Sequence, residues 1–369
     1  MSKTVFVGLS GGVDSAVSAI LLKQATPNNF EKLFGRPTPE GFRGFNVVGV
    51  FIKIWQPEFL ECTWAKDRVD AMRVAVALGI PFREIDLSDD YKRMVVEEMI
   101  DSYASGITPN PDVLCNRHIK FGSFLKYAQK EGADFIATGH YARIGKGNGL
   151  ELLRGSDKNK DQSYFLYTLD QSDLSRTIFP VGDLEKSEVR ARAVRARLPV
   201  AGKPDSQGLC FVGDVTMKEF LSRFMTLQKG AVLDASGNVI GTHEGASLYT
   251  IGQRHGFIVT KPARGTAIFY VIGTDVKNNT ISVSENIEDA KRRIAILDAV
   301  HLINSGQGFP FEAEVQTRYR EIPVKSVVNK IGERITITFS EPRIISPGQS
   351  LVFYRGEKCL GGGVITGFE

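Results

Sequence analysis

Positions 8–15, which read Gly-Leu-Ser-Gly-Gly-Val-Asp-Ser, carry the densest chemical pattern in the chain. An apolar stretch at positions 4–7 precedes them and helix-forming residues at positions 16–24 follow, so the turn is predicted between a strand and a helix. Gly11 and Gly12 let the backbone approach a ligand without a Cβ in the way. The hydroxyls of Ser10 and Ser15 and the first N–H groups of the helix would face one anion, which the helix dipole also favours.

This arrangement predicts a phosphate-binding loop of a particular kind. The lysine of a Walker A loop is absent, and so is the three-glycine spacing of a Rossmann fold. The remaining pattern resembles the PP-loop of the ATP pyrophosphatases, which cleave ATP between its α- and β-phosphates and activate a substrate oxygen as an adenylate. A simple glycine turn is the alternative, but such a turn rarely combines these serines and glycines with an aspartate after a strand. We therefore predict an ATP site.

A second motif, Thr-Pro-Asn-Pro-Asp-Val-Leu-Cys-Asn, occupies positions 108–116. Its two prolines restrict the backbone, which predicts a stiff, extended segment rather than a helix. Asp112 and Cys115 can meet if the chain turns into the helix predicted next. A thiol at a helix start is biased toward the nucleophilic thiolate, although a lone cysteine is more often a buried apolar residue. Cys210 also follows a polar turn that contains glycine.

Length and composition limit the class of protein. The chain has 369 residues, enough for two or three domains, and its 42% hydrophobic and 24% charged content is ordinary for a soluble protein. No stretch reaches membrane-spanning length and Met1 leads directly into the first strand, so we expect a cytoplasmic protein without a membrane partner. The net charge of +4 permits a nucleic-acid partner without requiring one. The four cysteines form no Cys-x-x-Cys pair, so no metal site is predicted.

The order of predicted elements indicates an α/β domain with a doubly wound parallel sheet over residues 1–215. Strands at 47–52, 82–87 and 134–138 alternate with helices around 71–78, 91–103 and 121–130. Residues 26–46 are rich in proline and glycine and predict a long surface loop. Short strands and turns dominate afterwards, including a hairpin of 267–272 with 280–284. They predict a small, mostly β central domain at 216–285 and a C-terminal β-barrel at 286–369.

Several motifs occur in the order found in one known family. They are the PP-loop, Asn110-Pro-Asp-x-x-Cys115, Ala137-Thr-Gly-His-Tyr141, Lys160-Asp-Gln-Ser-Tyr-Phe165, Gly208-Leu-Cys-Phe211, Thr317-Arg-Tyr-Arg320 and Gly361-Gly-Gly363. The chain thereby resembles the tRNA-specific 2-thiouridylases, the MnmA family, over nearly its whole length. The resemblance implies 2-thiolation of the wobble uridine of tRNA with ATP, Mg²⁺ and persulfide sulfur from a sulfur-relay donor protein. We expect a monomer whose C-terminal barrel contacts tRNA.

The same resemblance implies roles for individual residues. Cys115 would be the catalytic thiol and Cys210 the persulfide carrier, while Asp112 would act in catalysis and face the target base with Asn110 and Pro111. ATP would be bound by Gly8, Leu9, Ser10, Gly11, Gly12, Val13, Asp14, Ser15, Ile52 and Gly139. tRNA would be contacted by His140, Lys160, Asp161, Gln162, Arg318, Tyr319 and Gln349. The chain departs from the family pattern at Ile52, where methionine is common, and in the longer 26–46 segment.

The chemistry expected of these residues is adenylation followed by sulfur transfer. Attack of the uracil C2 oxygen on the α-phosphate would form an adenylate and release pyrophosphate, with Asp14 a candidate to orient Mg²⁺ or simply a cap of the turn. A persulfide on Cys210 would supply sulfur, and AMP would leave. If Cys115 attacks the persulfide, the two cysteines end as a disulfide that an external reductant must reopen.

The indications of RNA binding are weaker outside these motifs. A predicted helix carries five cations, which could follow phosphates or form a solvated face: Lys186, Arg190, Arg192, Arg195 and Arg197. Tyr319 could stack on a base or be ordinary strand surface. The segment from Lys160, before a predicted apolar strand, could be a plain polar turn, and His140 taken alone would be a structural group.

Three other interpretations remain open at this stage. A PP-loop synthetase that adenylates a small metabolite for attack by nitrogen explains residues 8–15 but gives Cys115 and Cys210 no task. An RNA-binding β-barrel protein with a degenerate nucleotide domain does not explain the intact loop. An iron–sulfur cluster held by Asp112, Cys115 and Cys210 could replace the persulfide.

Overall fold

The computed structural model describes residues 2–60, 64–205, 215–260 and 268–369. In this part of the chain no helix is long and apolar enough to cross a membrane. The α-helices are Val13–Lys23, Phe30–Phe34, Trp64–Leu78, Ser88–Tyr91, Glu98–Ala104, Pro111–Leu114, Phe124–Lys130, Gln171–Ser175, Lys186–Arg195 and Met217–Leu221. Lys92–Glu97 and Cys115–Ser123 are π-helical, and the short 3₁₀ helices are Ser163–Leu166, Ala246–Leu248 and Ile287–Ala290.

The first domain is built on a five-stranded parallel sheet, which confirms the predicted fold class. The central strand Lys3–Gly8 pairs with the second strand of the chain on one side and the fourth on the other, so the chain order reverses there. In parallel sheets a ligand crevice opens at the carboxyl ends of the strands beside such a reversal. In space the strands lie in the order Phe82–Asp86, Phe45–Lys53, Lys3–Gly8, Phe135–Ala137 and Thr177–Ile178.

Side chains of the central strand alternate between two cores, one on each face of the sheet. Val5 and Val7 pack with the helices Val13–Lys23 and Lys186–Arg195, whereas Phe6 packs in the opposite core. A parallel strand that is covered on both faces requires this two-residue alternation. Truncating a buried phenylalanine costs about 3–5 kcal/mol of stability. The strand that leads into the phosphate loop is therefore firmly anchored.

The segment 26–46, predicted as a surface loop, is partly a short helix packed on the sheet. The helix Phe30–Phe34 ends at a glycine with φ +62°. Neighbouring rings of Phe30, Phe34, Phe42 and Phe45 have centroids 4.7–6.0 Å apart. The prediction was wrong here because the proline and glycine content concealed an aromatic cluster.

The central domain contains a five-stranded sheet. The predicted hairpin is confirmed, since Tyr270–Asp275 pairs antiparallel with Thr280–Ser284. Its turn uses Asn279 at φ +50°, a conformation that asparagine tolerates. Ala267, the first residue of the predicted hairpin, lies outside the described residues. The strands lie in the order Phe257–Val259, Val239–His243, Gly230–Leu233, Thr280–Ser284 and Tyr270–Asp275.

The C-terminal part is an antiparallel β-barrel, as predicted. Six strands close the barrel because the last pairs with the first, in the order Lys291–Leu297, Arg334–Ile344, Val324–Ile331, Phe311–Gln316, Ser350–Arg355 and Lys358–Phe368. The two-residue strand His301–Leu302 adds to Lys358–Phe368. A hairpin of the first domain, Ala142–Gly147 with Gly149–Arg154, extends the same sheet by pairing with Lys358 and Cys359. The order of elements in the sequence did not predict this connection between the first domain and the barrel.

Candidate active site

The phosphate loop, residues 8–15, is closed by its own two serines. The hydroxyl of Ser15 accepts a hydrogen bond from the backbone N–H of Ser10 at 3.2 Å and lies 3.2 Å from the Ser10 hydroxyl. It also lies 3.1 Å from the carbonyl oxygen of Gly12, to which it donates. The turn ends where the helix begins at Val13, so the first N–H groups of that helix lie at the loop. This is the local geometry of an anion site at a helix start.

Two glycines and an isoleucine complete the surroundings of the loop. Gly11 adopts φ +72°, and a Cβ there would lie 2.5 Å from a carbonyl oxygen of a neighbouring helix. A Cβ on Gly139 would lie 2.8 Å from the backbone nitrogen of Ser15. The half-buried Ile52 approaches Gly8, whose Cβ position is 3.9 Å from its Cδ1 atom. The structure thus brings together all the residues that the sequence assigned to ATP.

Asp14, at the start of the loop helix, is held by two side chains from later in the chain. The Tyr141 hydroxyl donates to Asp14 Oδ1 at 2.8 Å, and Lys186 Nζ lies 2.7 and 2.8 Å from the two carboxylate oxygens. Burial and the nearby Asp14 charge raise the pKa of Tyr141, so its hydroxyl keeps its proton. Lys186 Nζ also lies 2.9 Å from Asp205 Oδ1, so one ammonium bridges two carboxylates.

Asp205 forms ion pairs with two further cations beside the loop. Lys160 Nζ and Arg190 Nη2 each lie 2.7 Å from its carboxylate. Burial opposes ionisation of Asp205, but hydrogen bonds from Lys160 and Lys186 lower its pKa to about 2. The cluster thus gathers three cations beside the loop, and a third carboxylate, Asp157, accepts from the Lys186 backbone N–H at 3.0 Å. Cations at this position can attract the phosphates of a nucleotide. Lys160, expected to contact tRNA, and two cations of the basic helix thus lie in the charge network of the phosphate loop.

Cys115 lies in a helix that begins four residues earlier, at Pro111. Helical residues 111–130, called here the cysteine helix, are capped by Asn110, whose Oδ1 accepts from the Val113 N–H at 3.3 Å. Proline is favoured at the first helical position because its missing N–H would have no partner there. The prediction of an extended segment was therefore wrong from Pro111 onward, because this proline starts a helix.

A chain of polar side chains lies beside the cysteine helix. Lys120 Nζ is 3.3 Å from His140 Nε2, and His140 Nδ1 is 2.8 Å from Thr138 Oγ1. Because an ammonium can only donate, Nε2 accepts, and Nδ1 carries the hydrogen that Thr138 receives. Burial and the Lys120 charge hold the pKa of His140 well below its ordinary value, so the ring is neutral. Both ring nitrogens of His140, an expected tRNA contact, therefore bond within the protein.

The carboxyl group of Asp112 lies in the field of the same ammonium. Asp112 is an exposed residue, but desolvation by its surroundings raises the pKa of the carboxyl group, and the Lys120 charge lowers it in part. A carboxyl group with a raised pKa in an accessible site suits proton transfer. The sequence did not single out Lys120, because a lone lysine just before a predicted helix carries no distinguishing signal.

Asp161 and Gln162, both expected to contact tRNA, make hydrogen bonds inside the protein. Asp161 is buried, and its carboxylate accepts from Arg154 Nη1 at 2.9 Å and from two backbone N–H groups at 3.0 Å. The Gln162 side-chain oxygen accepts from the Tyr141 N–H at 3.0 Å. The chain then enters the 3₁₀ helix Ser163–Leu166 instead of the predicted apolar strand.

The three barrel residues expected to contact tRNA lie where domains meet. Arg318 Nη2 donates to the carbonyl oxygen of Ile251 in the central domain at 2.6 Å. The half-buried ring of Tyr319, in a turn rather than a strand, has its centroid 4.6 Å from that of Phe165. Gln349 donates to backbone carbonyl groups just before the cysteine helix.

Of the other three cysteines, one lies within the described residues and two do not. Cys210, the expected persulfide carrier, and Cys62 lie outside the described residues. Cys359 is buried, and desolvation raises its pKa to about 12, which agrees with a role in packing. Within the described ranges, no three His, Cys, Asp or Glu side chains are grouped as metal ligands.

Family models match three consecutive parts of the chain. The tRNA methyl transferase HUP domain matches residues 3–34 and 41–214, and the tRNA methyl transferase PRC-barrel domain matches residues 218–285. The aminomethyltransferase β-barrel domain matches residues 292–365. Among solved structures, the U34-tRNA thiolase NcsA of Methanococcus maripaludis is 19% identical, with a TM-score of 0.35 over 60% of this chain and 63% of that one.

Relatives of known name match nearly end to end. The tRNA-specific 2-thiouridylase MnmA of Enterococcus faecalis is 42% identical over 99% of this chain and 96% of its own length. The proteins of that name from Streptococcus thermophilus and Listeria innocua are 41% identical, over 99% and 98% of this chain and 95% and 94% of their own. The chain belongs to the tRNA-specific 2-thiouridylase MnmA family.

Proposed function

We propose that the chain catalyses ATP-dependent 2-thiolation of the wobble uridine of tRNA. The observation that carries this proposal is that residues 138–140 contact both the phosphate loop and the cysteine helix. Gly139 lies against Asp14 and Ser15, and the next residue, His140, contacts Lys120 of the cysteine helix. A site for ATP and a nucleophilic thiol on adjacent elements suit an enzyme that first activates an oxygen and then replaces it with sulfur.

The first step we propose is adenylation of the uracil C2 oxygen, which is otherwise a poor leaving group. That oxygen attacks the α-phosphate of ATP, and the bond to the β-phosphate breaks, releasing pyrophosphate. Charge that develops on the phosphates is stabilised by the N–H groups at the start of the loop helix and by the Lys186 ammonium. Asp112, an exposed carboxyl group in the first turn of the cysteine helix whose pKa is raised by desolvation, would hold a proton near the target base.

Asp14 fits a Mg²⁺ ion that the nucleotide brings with it. Magnesium in such sites is held mainly by phosphate oxygens and water, with one or two protein carboxylates. Asp14 supplies a carboxylate beside the loop, although in the structure Lys186 and Tyr141 hold it. Bound there, the ion would neutralise charge on the leaving pyrophosphate.

The second step we propose is sulfur transfer from a persulfide on Cys210. The terminal sulfur attacks C2 and AMP leaves, so C2 and Cys210 are joined through two sulfurs. The Cys115 thiolate then attacks Sγ of Cys210 and breaks the bond between the two sulfurs. The outer sulfur stays on C2 of the base, and a Cys115–Cys210 disulfide forms. An external thiol reductant supplies two electrons to reopen the disulfide, and a donor protein reloads Cys210. Cys115 is only half-buried on its helix, which supports its role as nucleophile.

The alternatives differ in what they predict for iron and for the cysteines. A cluster on Asp112, Cys115 and Cys210 would appear as iron in anaerobically purified protein, whereas the persulfide route gives persulfide on Cys210 without iron. A synthetase for a small metabolite would not need Cys115. We assign the chemistry to residues 1–215 and propose that domains 216–285 and 286–369 receive the tRNA.

The nucleotide products test the first step. Purified protein with ATP, unmodified tRNA and a persulfide donor is expected to release one AMP and one pyrophosphate per thiouridine formed. Asp14→Ala is expected to lower adenylation at least about tenfold, because the loop loses the carboxylate that joins it to Lys186. Products are resolved by chromatography of labelled ATP. Stoichiometric release of ADP and phosphate would refute the assignment.

Gly139→Ala tests the close approach of strand and loop. The added Cβ would lie 2.8 Å from the Ser15 nitrogen, so the loop must shift, and we expect ATP affinity to fall at least about tenfold. Affinity is measured by calorimetry without tRNA. Gly202→Ala is the matched control, because a Cβ there meets nothing within 4 Å. Equal affinities for the two variants would contradict the placement of ATP against Gly139.

A further inference from the structure

A turn of the C-terminal barrel holds the backbone directly before the cysteine helix. Gln349 Nε2 donates to the carbonyl oxygens of Thr108 at 2.8 Å and Pro109 at 3.3 Å. In return, the Thr108 N–H donates to the Pro347 carbonyl oxygen at 3.3 Å. Gly348 adopts φ +88°, and a Cβ there would lie 2.7 Å from the Thr108 carbonyl oxygen. The two backbones are therefore in direct contact.

Both ends of this contact are themselves fixed. The Gly348 N–H donates to the Ile365 carbonyl oxygen at 2.8 Å, and the Ile365 N–H donates to the Gln349 carbonyl oxygen at 2.9 Å, so the turn is tied to the last barrel strand. On the opposite side, the Thr108 hydroxyl lies 3.0 Å from the Thr250 hydroxyl of the central domain. All three domains thus meet at Thr108.

The backbone between Thr108 and Cys115 has little freedom to absorb a displacement. Pro109 and Pro111 fix their own φ angles and restrict the residues before them. Asn110 caps the cysteine helix through its bond to the Val113 N–H. The position of the Thr108 and Pro109 carbonyl groups therefore sets the start of the helix, and with it the positions of Asp112 and Cys115.

We propose that Gln349 is a positioning residue for the thiolation reaction. Its amide fixes the backbone in front of the cysteine helix, so the barrel sets where Asp112 and Cys115 stand relative to the activated base. The amide nitrogen donates to carbonyl oxygens of the protein, which sets this role apart from the tRNA contact expected of Gln349. The inference rests on the proposed function for its kinetic consequence but not for its structural one.

Gln349→Met keeps the length of the side chain and removes both donors, and Gln349→Lys restores a donor. For Gln349→Met we expect kcat for thiolation to fall about 100-fold, as misplacement by about 1 Å can do, with tRNA Kd changed less than twofold. Gln349→Lys is expected to recover part of that loss. Independently of activity, amide hydrogen exchange of peptides spanning 110–115 should become faster in Gln349→Met and revert in Gln349→Lys. The control Gln307→Met removes a half-buried glutamine from another loop of the barrel domain and should change none of these measurements.

The exchange measurement separates failure of this inference from failure of the proposed function. Faster exchange at 110–115 in a chain without thiolation activity would support the positioning role and refute the proposed reaction. A weaker tRNA Kd with unchanged kcat and unchanged exchange would make Gln349 a tRNA contact and overturn the inference. Unchanged values of all three quantities would overturn it as well.

Discussion

Cys115→Ser and Cys210→Ser are each expected to abolish tRNA thiolation while ATP binding stays intact. Serine nearly preserves the size of cysteine, so packing is kept. It removes the proposed nucleophilic thiolate at position 115 and the proposed persulfide carrier at position 210. Loss of a nucleophile that acts with partner groups lowers kcat by about 1,000-fold or more. The measurement is thiouridine formed per enzyme in a single turnover, with ATP affinity determined in parallel.

The reaction should also stop at a different step in each of the two variants. Cys210→Ser cannot carry a persulfide. Cys115→Ser should carry one before tRNA and ATP are added, and should then stop with C2 of the base joined to Cys210 through two sulfurs. Mass spectrometry of Cys210 peptides after incubation with the donor distinguishes these states. Near-normal thiolation by either variant would refute the two-cysteine mechanism.

Cys359→Ser and Cys62→Ser are the matched controls for this experiment. Cys359 is buried in the barrel and its pKa is raised to about 12, so it is neither accessible nor ionised at neutral pH. Serine there should lower the melting temperature, because a hydroxyl replaces a buried apolar group, without loss of the chemistry. Cys62→Ser should also remain active, since no second motif supports a role for Cys62.

The parts of the candidate site whose geometry matches the sequence-based prediction are set by local chain structure. A strand, a glycine turn and a helix place Ser10, Ser15 and their N–H groups together without help from distant residues. Gly139 could be assigned through the resemblance, and its contact with Ser15 follows from the pairing of strands 1 and 4 in a parallel sheet. Such features recur wherever the same local pattern occurs.

The parts that the sequence did not predict depend on long-range packing of polar groups. Lys186 could have belonged to a solvated helix face or an RNA surface, yet its ammonium bridges Asp14 and Asp205. Asp161 lies in a segment whose composition is typical of a polar turn. Its carboxylate is nevertheless buried and accepts a hydrogen bond from Arg154, a residue of the hairpin that joins the first domain to the barrel. Spacing along the chain contains no information about such partners.

Proline illustrates the same limit at short range. The rule that proline disfavours a helix gave an extended segment at 108–116, while Pro111 occupies the first helical turn with Asn110 as its cap. The sequence contains this cap signal, but the two prolines outweighed it. Cys115 therefore lies one turn inside a helix rather than at its first residue.

Lys186→Met is expected to lower adenylation about 100-fold, comparable to loss of one donor to a developing charge. The phosphate loop has no lysine of its own, and among the described residues Lys186 supplies the ammonium within hydrogen-bond distance of Asp14. With its side chain only 12% exposed, this cation is little screened by solvent, so its charge acts strongly on a nearby phosphate. ATP–pyrophosphate exchange in the presence of tRNA and ATP affinity without tRNA measure the effect.

Two variants on the same helix show whether the lost charge itself is responsible for the effect of Lys186→Met. Lys186→Arg keeps the positive charge and should retain more exchange activity than the methionine variant, although a guanidinium cannot reproduce the contacts of an ammonium. Arg192→Met removes a cation that pairs with Glu188 on the helix surface and should leave ATP affinity unchanged. If Lys186→Met bound and exchanged ATP as well as Arg192→Met, the bridge between Asp14 and Asp205 would be structural only. Phosphate binding would then depend on the loop N–H groups and on the remaining cations, Lys160 and Arg190.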